Sequence, residues 1–252
     1  MIKAPSPKAL EKIMDLVKFI IFPDYSDIPS WTDGPAALRE ILTAQLMTVS
    51  VDNPGEIASK LVESLPEIGR LINTDVRAVA HNDPAVCDLG EVILSYPLTR
   101  VMLHYRVAHR LYELGVPRIP RMLTERAHGQ TGIDIHPAAK IGEYFAIDHG
   151  TGVVIGATSV IGNHVMLYQG VTLGAKNFSY DPDGHPIDTP RHPILEDNVT
   201  VYSNTSILGR VTIGHDTVIG GNIWLTHSVP PYSKLVQGKA LEESFGSDGA
   251  GI

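Results

Sequence analysis

The sequence predicts an α+β protein in which a helical N-terminal half is followed by a parallel β-helix. Two observations carry this prediction: apolar residues recur near a helical period in residues 1–130, and aliphatic residues recur every six positions in residues 131–230. The last segment, 231–252, leaves the six-residue repeat and ends in a run of small residues. We expect this segment to be a flexible C-terminal tail.

The helical half contains recognisable helix starts and ends. Its first apolar stretch repeats at a spacing near 3.6 residues across residues 9–21. Gly115 is expected to end the last helix as a C-terminal cap. Four further helices are expected to begin at Asp, Asn or Pro signals, at 32–35, 53–54, 82–84 and 97. The last helix carries side chains that we interpret as a polar face or as buried hydrogen-bonding partners: Arg100, His104, Arg106, His109 and Arg110.

The six-residue period in the second half predicts short stacked strands. This period is typical of a parallel β-helix, in which each short strand turns one aliphatic side chain inward. Three strands per coil would stack into a triangular prism. Residues 175–194 interrupt the period and are rich in Pro, Gly and Asp, so they must leave the prism as a loop. The aliphatic positions in register are Ile135, Ile141, Ile147, Ile155, Ile161, Leu167, Leu173, Leu195, Val201, Ile207, Ile213, Ile219 and Leu225.

Composition and charge exclude several classes of protein. The 252 residues carry 20 Lys and Arg against 28 Asp and Glu, a formal net charge of −8, so binding to nucleic acid is not expected. The single cysteine, Cys87, excludes an internal disulfide, and we interpret it as a core or surface thiol rather than a nucleophile. No stretch has the pattern of a signal peptide or a membrane span, so we expect a cytoplasmic protein without a membrane partner.

The densest polar constellation lies in the first repeats. Asp134 and His136 belong to GIDIHP, and Asp148 and His149 belong to DHGTG. A histidine beside carboxylates suits a general base, because a carboxylate fixes its tautomer and stabilises the imidazolium that forms. Asp and His are also common in surface turns, so spacing alone leaves catalysis and a structural role both open. The histidines after residue 130 lack paired metal-ligand spacing, and no metal site is expected.

Several motifs resemble the serine O-acetyltransferase family of hexapeptide-repeat acyltransferases. The motifs are GIDIHPAAKIG, DHGTGVVIG, VTLG, RHP and VPP, with NDPAV and SYPLTRVMLHYRVAHRLYELG in the helical half. The resemblance spans about residues 75–232 and implies that the β-helix is left-handed. It also implies acetyl transfer from acetyl-coenzyme A, as a co-substrate, to the hydroxyl of L-serine, with no tightly bound cofactor.

The resemblance implies a catalytic pair and a set of serine-binding residues. His149 matches the catalytic base, and Asp134 matches the carboxylate that pairs with it. Serine is a zwitterion, so its site needs anions for the ammonium group and a cation for the carboxylate. The residues that match the serine-binding set are Asp83, Asp148, Arg191 and His192, with Arg191 suited to the carboxylate.

Coenzyme A is expected in the groove between neighbouring prisms, as in the family. Gly174, Ala175 and Thr205 would offer backbone N–H groups and small side chains to the pantetheine, and Lys176 would offer a cation to the phosphates. The family also implies a homotrimer, or a hexamer made of two trimers.

Three departures from the family pattern affect these expectations. Gly156-Ala157-Thr158 stands where GET is common, the loop before RHP is longer and carries His185, and residues 232–238 replace GVPAR. The first two departures bear on the acceptor, and the third bears on the coenzyme A contacts. Another hydroxyl acceptor, such as homoserine or a sugar, and a non-catalytic β-helix scaffold are therefore the alternative interpretations.

The end of the chain carries one further expectation. Family members commonly finish in a flexible segment whose terminal Ile enters the active site of O-acetylserine sulfhydrylase. Ile252 follows a run of small residues here, so we expect it to bind this partner. A disordered tail that happens to end in Ile is the alternative.

Overall fold

The computed structural model describes residues 4–29, 32–178, 180–185 and 187–238. Within these ranges no helix is both long enough and apolar enough to cross a membrane. A short 3₁₀ turn at Pro23–Tyr25 separates the first two helices. The α-helices of this part of the chain are α1 Pro7–Ile21, α2 Gly34–Leu46, α3 Pro54–Asn82, α4 Leu89–Ser95, α5 Pro97–Glu113 and α6 Ile119–Thr131.

Two of the predicted helix signals act as expected. Asp33 caps α2 by accepting a hydrogen bond from the backbone N–H of Ala36 at 3.0 Å. Gly115 follows α5 with a φ of +75°, and the N–H of Val116 donates back to the carbonyl of Leu111 at 3.0 Å. These bonds satisfy backbone groups that a helix end would otherwise leave unpaired.

The prediction that a helix begins at 82–84 is wrong. Helix α3 continues to Asn82, and Asp83 is extended, with φ −105° and ψ 108°, because it precedes Pro84. The next helix begins at Leu89, where the Asp88 side chain accepts from the N–H of Glu91 at 2.8 Å. The proline therefore ends one helix rather than starting another.

Short strands follow the helices and form three parallel sheets. The first sheet has the order β1-β4-β7-β10-β13, the second β11-β8-β5-β2 and the third β14-β12-β9-β6-β3, which makes a parallel β-helix of five coils. In chain order the strands are β1 Asp134–Ile135, β2 Lys140–Ile141, β3 Ala146–Asp148, β4 Val154–Ile155, β5 Val160–Ile161, β6 Met166–Tyr168, β7 Thr172–Gly174, β8 Ile194–Leu195, β9 Thr200–Val201, β10 Ser206–Leu208, β11 Thr212–Ile213, β12 Val218–Ile219, β13 Trp224–Leu225 and β14 Lys234–Leu235.

The strand register confirms the six-residue prediction. Every predicted aliphatic position lies in one of these strands, and all of them are buried except Ile141, which is half-buried. Burying such a side chain contributes about 1.5–3 kcal/mol, so these columns form the apolar core of the β-helix. One column, in the first sheet, stacks Ile135, Ile155, Leu173, Ile207 and Leu225.

The predicted tail at 231–252 begins too early. After Pro231 the chain turns at Tyr232, which has a φ of +58° and donates its N–H to the carbonyl of His215. Strand β14 then pairs with β12, so the coil continues past the predicted boundary. Residues 239–252, including Ile252, lie outside the described residues.

A buried ion pair holds the helical half against the β-helix. Arg106 donates from Nε and Nη2 to the carboxylate of Asp75, each at 2.9 Å, and Asp75 also accepts from the N–H of Phe145 at 3.0 Å. Arg106 Nη2 donates further to the carbonyl of Gly142 at 2.8 Å. This confirms the interpretation of Arg106 as a buried hydrogen-bonding partner. Removing one member of such a buried pair costs about 3–5 kcal/mol.

Candidate active site

The end of β3 carries two of the predicted site residues. Asp148 is the last residue of β3, and His149 follows it in the left-handed conformation, with a φ of +56°. The side chain of His149 is 72% exposed, and its Nδ1 lies 3.9 Å from Oδ1 of Asp148. An accessible imidazole beside a carboxylate can accept a proton from a bound hydroxyl group.

The turn after α3 brings Asp83 to the same corner of the β-helix. Oδ2 of Asp83 accepts a hydrogen bond from the Tyr96 hydroxyl at 2.7 Å, and Oδ1 accepts from the N–H of Ala85 at 2.8 Å. These hydrogen bonds, that from Tyr96 first, lower the pKa of Asp83, and the nearby His149 lowers it further. The same contact raises the pKa of Tyr96 to about 12. Asp83 is therefore an ionised carboxylate within electrostatic range of His149.

Tyr168 lies beside this group. Strand β6 pairs with β3 so that Tyr168 is next to Asp148, and the Tyr168 ring stacks on Tyr202 with 4.8 Å between centroids. Burial raises the pKa of Tyr168, and Tyr202 and then the carboxylates of Asp148 and Asp83 raise it further. We call Asp83, Tyr96, Asp148, His149 and Tyr168 the His149 corner. Neither tyrosine was identified from the sequence.

Asp134 lies near this corner but does not contact His149. Its Oδ1 accepts a hydrogen bond from Nη1 of Arg121 at 3.0 Å, and Arg121 also pairs with Glu125. The N–H of Asp134 donates to the carbonyl of Val153, in the turn that begins at His149. Among the described residues, no hydrogen bond or ion pair joins Asp134 to His149.

The end of the loop at 175–194 carries His192 in a buried position. His192 is 7% exposed, and its Nδ1 accepts from the N–H of Thr158 at 3.1 Å. Burial, the largest cause, lowers the pKa of His192 to about 4, so this imidazole is neutral near pH 7. Gly156 permits this packing, because a Cβ at that position would lie 1.9 Å from Cδ2 of His192.

Arg191 offers a hydrogen-bond donor beside His192. Its Nη1 donates to Oδ1 of Asp188 at 3.0 Å and to the carbonyl of Thr189 at 3.3 Å. Its Nε is buried and has no partner among the residues that the structure describes. With Lys176 and Arg210, Arg191 lines a groove of about 300 Å³. A groove with three cations suits an anionic ligand.

The four residues predicted to contact coenzyme A differ in their exposure. Lys176 lines the groove just described, whereas Gly174 ends β7 and Ala175 is half-buried after it. Thr205 is fully buried, and its hydroxyl donates to the carbonyl of Gly220 at 2.6 Å. The structure contradicts a ligand contact from the Thr205 side chain, because that hydroxyl is used inside the prism.

Cys87 and two clusters of metal-type ligands are further chemically notable groups in the described residues. Cys87 is exposed, and the neighbouring Glu91 raises its pKa, which disfavours the thiolate that a nucleophile needs. Two clusters of His, Asp and Glu side chains have the spacing of metal ligands. In the first cluster, Arg121 contacts both acids, Glu125 and Asp134. The second cluster lies in the loop at 175–194. These clusters are Glu125, His128 and Asp134, and Asp181, Asp183 and His185.

The predicted site residues thus form two groups at different corners. The His149 corner lies where the third sheet passes to the first, and His192 packs on the turn after β4, where the first sheet passes to the second. In the ranges described above, no hydrogen bond or ion pair joins the two groups.

A β-helix of hexapeptide repeats that presents a histidine and carboxylates at one corner defines a hexapeptide-repeat acyltransferase. No family model matches the chain. A serine acetyltransferase encoded on a plasmid of Synechococcus elongatus is 48% identical over 195 residues, which cover 77% of this chain and 61% of that protein. The serine acetyltransferase of Bacillus licheniformis is 40% identical over 167 residues, or 66% of this chain and 74% of the relative.

The solved structures agree with these relatives. Serine acetyltransferase isoform 3 from Entamoeba histolytica, crystallised in complex with cysteine, matches with a TM-score of 0.82 and 33% identity over 94% of this chain and 84% of that one. The chain belongs to the serine acetyltransferase family. It spans 61% and 63% of the lengths of the two Synechococcus elongatus relatives.

Proposed function

We propose that the chain transfers acetyl from acetyl-coenzyme A to the hydroxyl of L-serine. The observation that carries this proposal is the gathering of Asp83 and Asp148 beside His149. Two carboxylates can hold the ammonium group of an amino acid while its hydroxyl meets the imidazole. A serine acetyltransferase from Neisseria gonorrhoeae, 25% identical to this chain, has been crystallised in complex with serine.

His149 acts as the general base in this reaction. Its imidazole takes the proton of the serine hydroxyl while the hydroxyl oxygen attacks the acetyl carbonyl carbon. The tetrahedral intermediate collapses with cleavage of the carbon–sulfur bond, and the imidazolium returns the proton to the leaving thiolate. Acetyl passes directly to serine, so no acyl-enzyme forms and a single base is sufficient.

Tyr96 acts as a positioning residue for the acceptor. Its hydroxyl holds one oxygen of Asp83 at 2.7 Å, and the N–H of Ala85 holds the other. These two donors keep Asp83 ionised and fix its orientation. The ammonium group of serine then meets a carboxylate that needs no rearrangement.

Asp134 orients His149 in this proposal. The hydrogen bond from Arg121 uses Oδ1 of Asp134, which leaves Oδ2 for the imidazole. Asp148, whose Oδ1 lies 3.9 Å from Nδ1 of His149, is the competing group. We expect Asp134→Asn to lower kcat with little change in the KM for serine, and Asp148→Asn mainly to raise that KM. The reverse pattern would make Asp148 the orienting carboxylate.

The two groups of site residues are proposed to meet between copies of the chain. In a homotrimer, Arg191 and His192 of one copy would face the His149 corner of the next, with Arg191 on the serine carboxylate. Acetyl-coenzyme A would lie in the same groove, with Lys176 near its phosphates. Met47 and Leu94 of the helical half are 70% and 59% exposed, which supports the pairing of two trimers into a hexamer.

Two further parts of the proposal concern the surroundings of the enzyme. We propose that Ile252 binds O-acetylserine sulfhydrylase, because a carboxylate beside an aliphatic side chain resembles an amino-acid substrate. We also propose a cytoplasmic location, where the exposed thiol of Cys87 would stay reduced.

A panel of acceptors tests the proposed function. Thiol release from acetyl-coenzyme A is measured with L-serine, L-homoserine and glucose at equal concentrations. We expect release with L-serine to be at least about tenfold faster than with either of the others. Faster release with homoserine or glucose would establish another acceptor, and release with none of the three would contradict the proposal.

A further inference from the structure

A second polar cavity lies in the helical half, apart from the His149 corner. It has a volume of about 390 Å³ and is bounded by α1, by the junction of α4 and α5, and by α6. Its apolar side is formed by Met14, Ile93 and Leu103, all of which are buried. Cavities of this size bind small molecules in many proteins.

The charges that line this cavity are not balanced. Nη2 of Arg126 lies 2.7 Å from Oε1 of Glu11, so these two charges neutralise each other. Lys18 and Arg100 then face the single carboxylate of Asp15, and none of these three makes an ion pair within 4.0 Å in the described ranges. Among the described residues, the only hydrogen bond that the Arg100 side chain donates runs from Nη1 to Oε1 of Gln130 at 3.4 Å.

Asp15 and Arg100 are exposed at the edge of the cavity, and Lys18 is half-buried. Burial and the neighbouring Glu11 raise the pKa of Asp15, and Arg126, Lys18 and Arg100 act in the opposite direction. The space between these groups is the cavity itself. Two cations opposite one carboxylate leave room for a ligand that brings a carboxylate to Lys18 and Arg100.

The cavity also touches the element that holds the candidate serine-binding carboxylate. Ser95, Tyr96 and Pro97 form part of its wall, at the junction of α4 and α5. The Tyr96 hydroxyl donates to Asp83, as described above. A molecule in the cavity therefore contacts the segment from which Tyr96 reaches the His149 corner.

We propose that this cavity is a regulatory site for a small carboxylate, bound by Arg100 and Lys18, and that its occupation changes the affinity for serine through Tyr96. An amino acid would add an ammonium group for Asp15, whereas a plain carboxylate would use the two cations alone. The effect on serine rests on the proposed acetyl transfer, but the binding itself does not. Coupling of this kind is reciprocal, so serine would change the affinity of the cavity by the same factor.

Calorimetry on the full chain tests binding without reference to activity. Succinate and L-aspartate serve as probes, at matched ionic strength, with the wild type and with the Arg100→Gln and Lys18→Gln variants. Arg39→Gln is the matched control, because Arg39 is an exposed arginine of α2 that does not line the cavity. We expect each cavity variant to weaken binding by about tenfold or more and the control to leave it unchanged.

The outcomes separate the two sources of the carboxylate. Tighter binding of L-aspartate than of succinate identifies an amino acid, and equal or weaker binding of L-aspartate identifies a plain carboxylate. Absence of binding by both probes, or equal binding by wild type and Arg100→Gln, overturns the proposal.

A second measurement tests the connection to the His149 corner. The better probe should change the KM for serine of the wild type, and Tyr96→Phe should retain the probe but lose this change. A probe that binds the cavity and leaves the wild-type KM unaltered would overturn the regulatory part of the proposal.

Discussion

At the scale of single residues, the hydrogen bond from Tyr96 to Asp83 gives the first prediction. Tyr96→Phe removes a donor to a charged carboxylate, which is worth about 1.5–3 kcal/mol. We expect the KM for serine to rise by about tenfold or more while kcat changes little. The pKa of Asp83 should also rise, because the Tyr96 hydroxyl lowers it. The loss of serine affinity on acidification should therefore begin at a higher pH in this variant.

Steady-state kinetics at neutral pH would check the change in KM. Serine binding followed by calorimetry from pH 6 down to pH 3 would check the shift, because the ordinary pKa of an Asp carboxyl is 3.8 and the Tyr96 hydroxyl holds that of Asp83 lower. Tyr112→Phe is the matched control, since Tyr112 is an exposed tyrosine of α5 and lies outside the site. Equal KM values and equal pH profiles for Tyr96→Phe and wild type would contradict a positioning role for Tyr96.

Sequence reasoning at this scale reached only part of the site. Asp148 and His149 are adjacent in sequence, and local geometry at the end of β3 places them together. Tyr96 and Asp83 meet because two helix ends fold back on each other across 13 residues. No periodicity or motif marks such a contact. A contact from the Thr205 side chain was expected because a small side chain suits a ligand groove, but such a side chain equally suits the packed interior, where it lies.

At the scale of elements, α5 carries a histidine that links stability to pH. His104 is 6% exposed, and its Nδ1 donates to the carbonyl of Arg100 at 2.8 Å. Burial is the main cause that lowers its pKa from 6.5 to about 4, and Arg100 and Arg126 lower it further, although the hydrogen bond to the carbonyl opposes them. Between these two pH values the unfolded chain binds a proton that the folded chain does not.

Stability should therefore fall as the pH decreases from 6.5 towards 4. Titration of this one histidine changes the free energy of unfolding by at most about 1.4 kcal/mol per pH unit. His104→Gln keeps a polar side chain that does not titrate, so its unfolding free energy should depend less steeply on pH. Urea unfolding at pH 5 and pH 7 measures the difference, and identical slopes for the two proteins would contradict this assignment.

The elements themselves were predicted unevenly, for physical reasons. The β-helix follows from the sequence because each coil needs an aliphatic residue at a fixed interval, and this requirement leaves a visible period. The helix expected at 82–84 fails because an Asn-Asp-Pro sequence can end a helix as well as begin one. The last coil was missed because β14 follows two prolines and buries few apolar side chains.

At the scale of the whole molecule, the separation of the two groups of site residues predicts complementation. His149→Asn and Arg191→Ala should each be inactive alone, because each lacks one half of the site. When the two variants are mixed in equal amounts and reassembled, about one quarter of the interfaces should pair an intact His149 with an intact Arg191. The mixture should therefore regain about one quarter of wild-type activity. Light scattering should show that the active species is a trimer or a hexamer. Mixtures that stay inactive despite the exchange of copies would contradict a site shared between copies.

We propose that His149 is the general base for acetyl transfer to serine. Turnover of His149→Asn with L-serine and acetyl-coenzyme A tests it most directly, with His164→Asn as the matched control. His164 has the same left-handed conformation, with a φ of +56°, and stacks on Tyr144 outside the His149 corner. We expect His149→Asn to lose at least about 10²-fold in kcat at neutral pH, with its assembly intact and the control near wild type. Near-normal turnover by His149→Asn would contradict the mechanism.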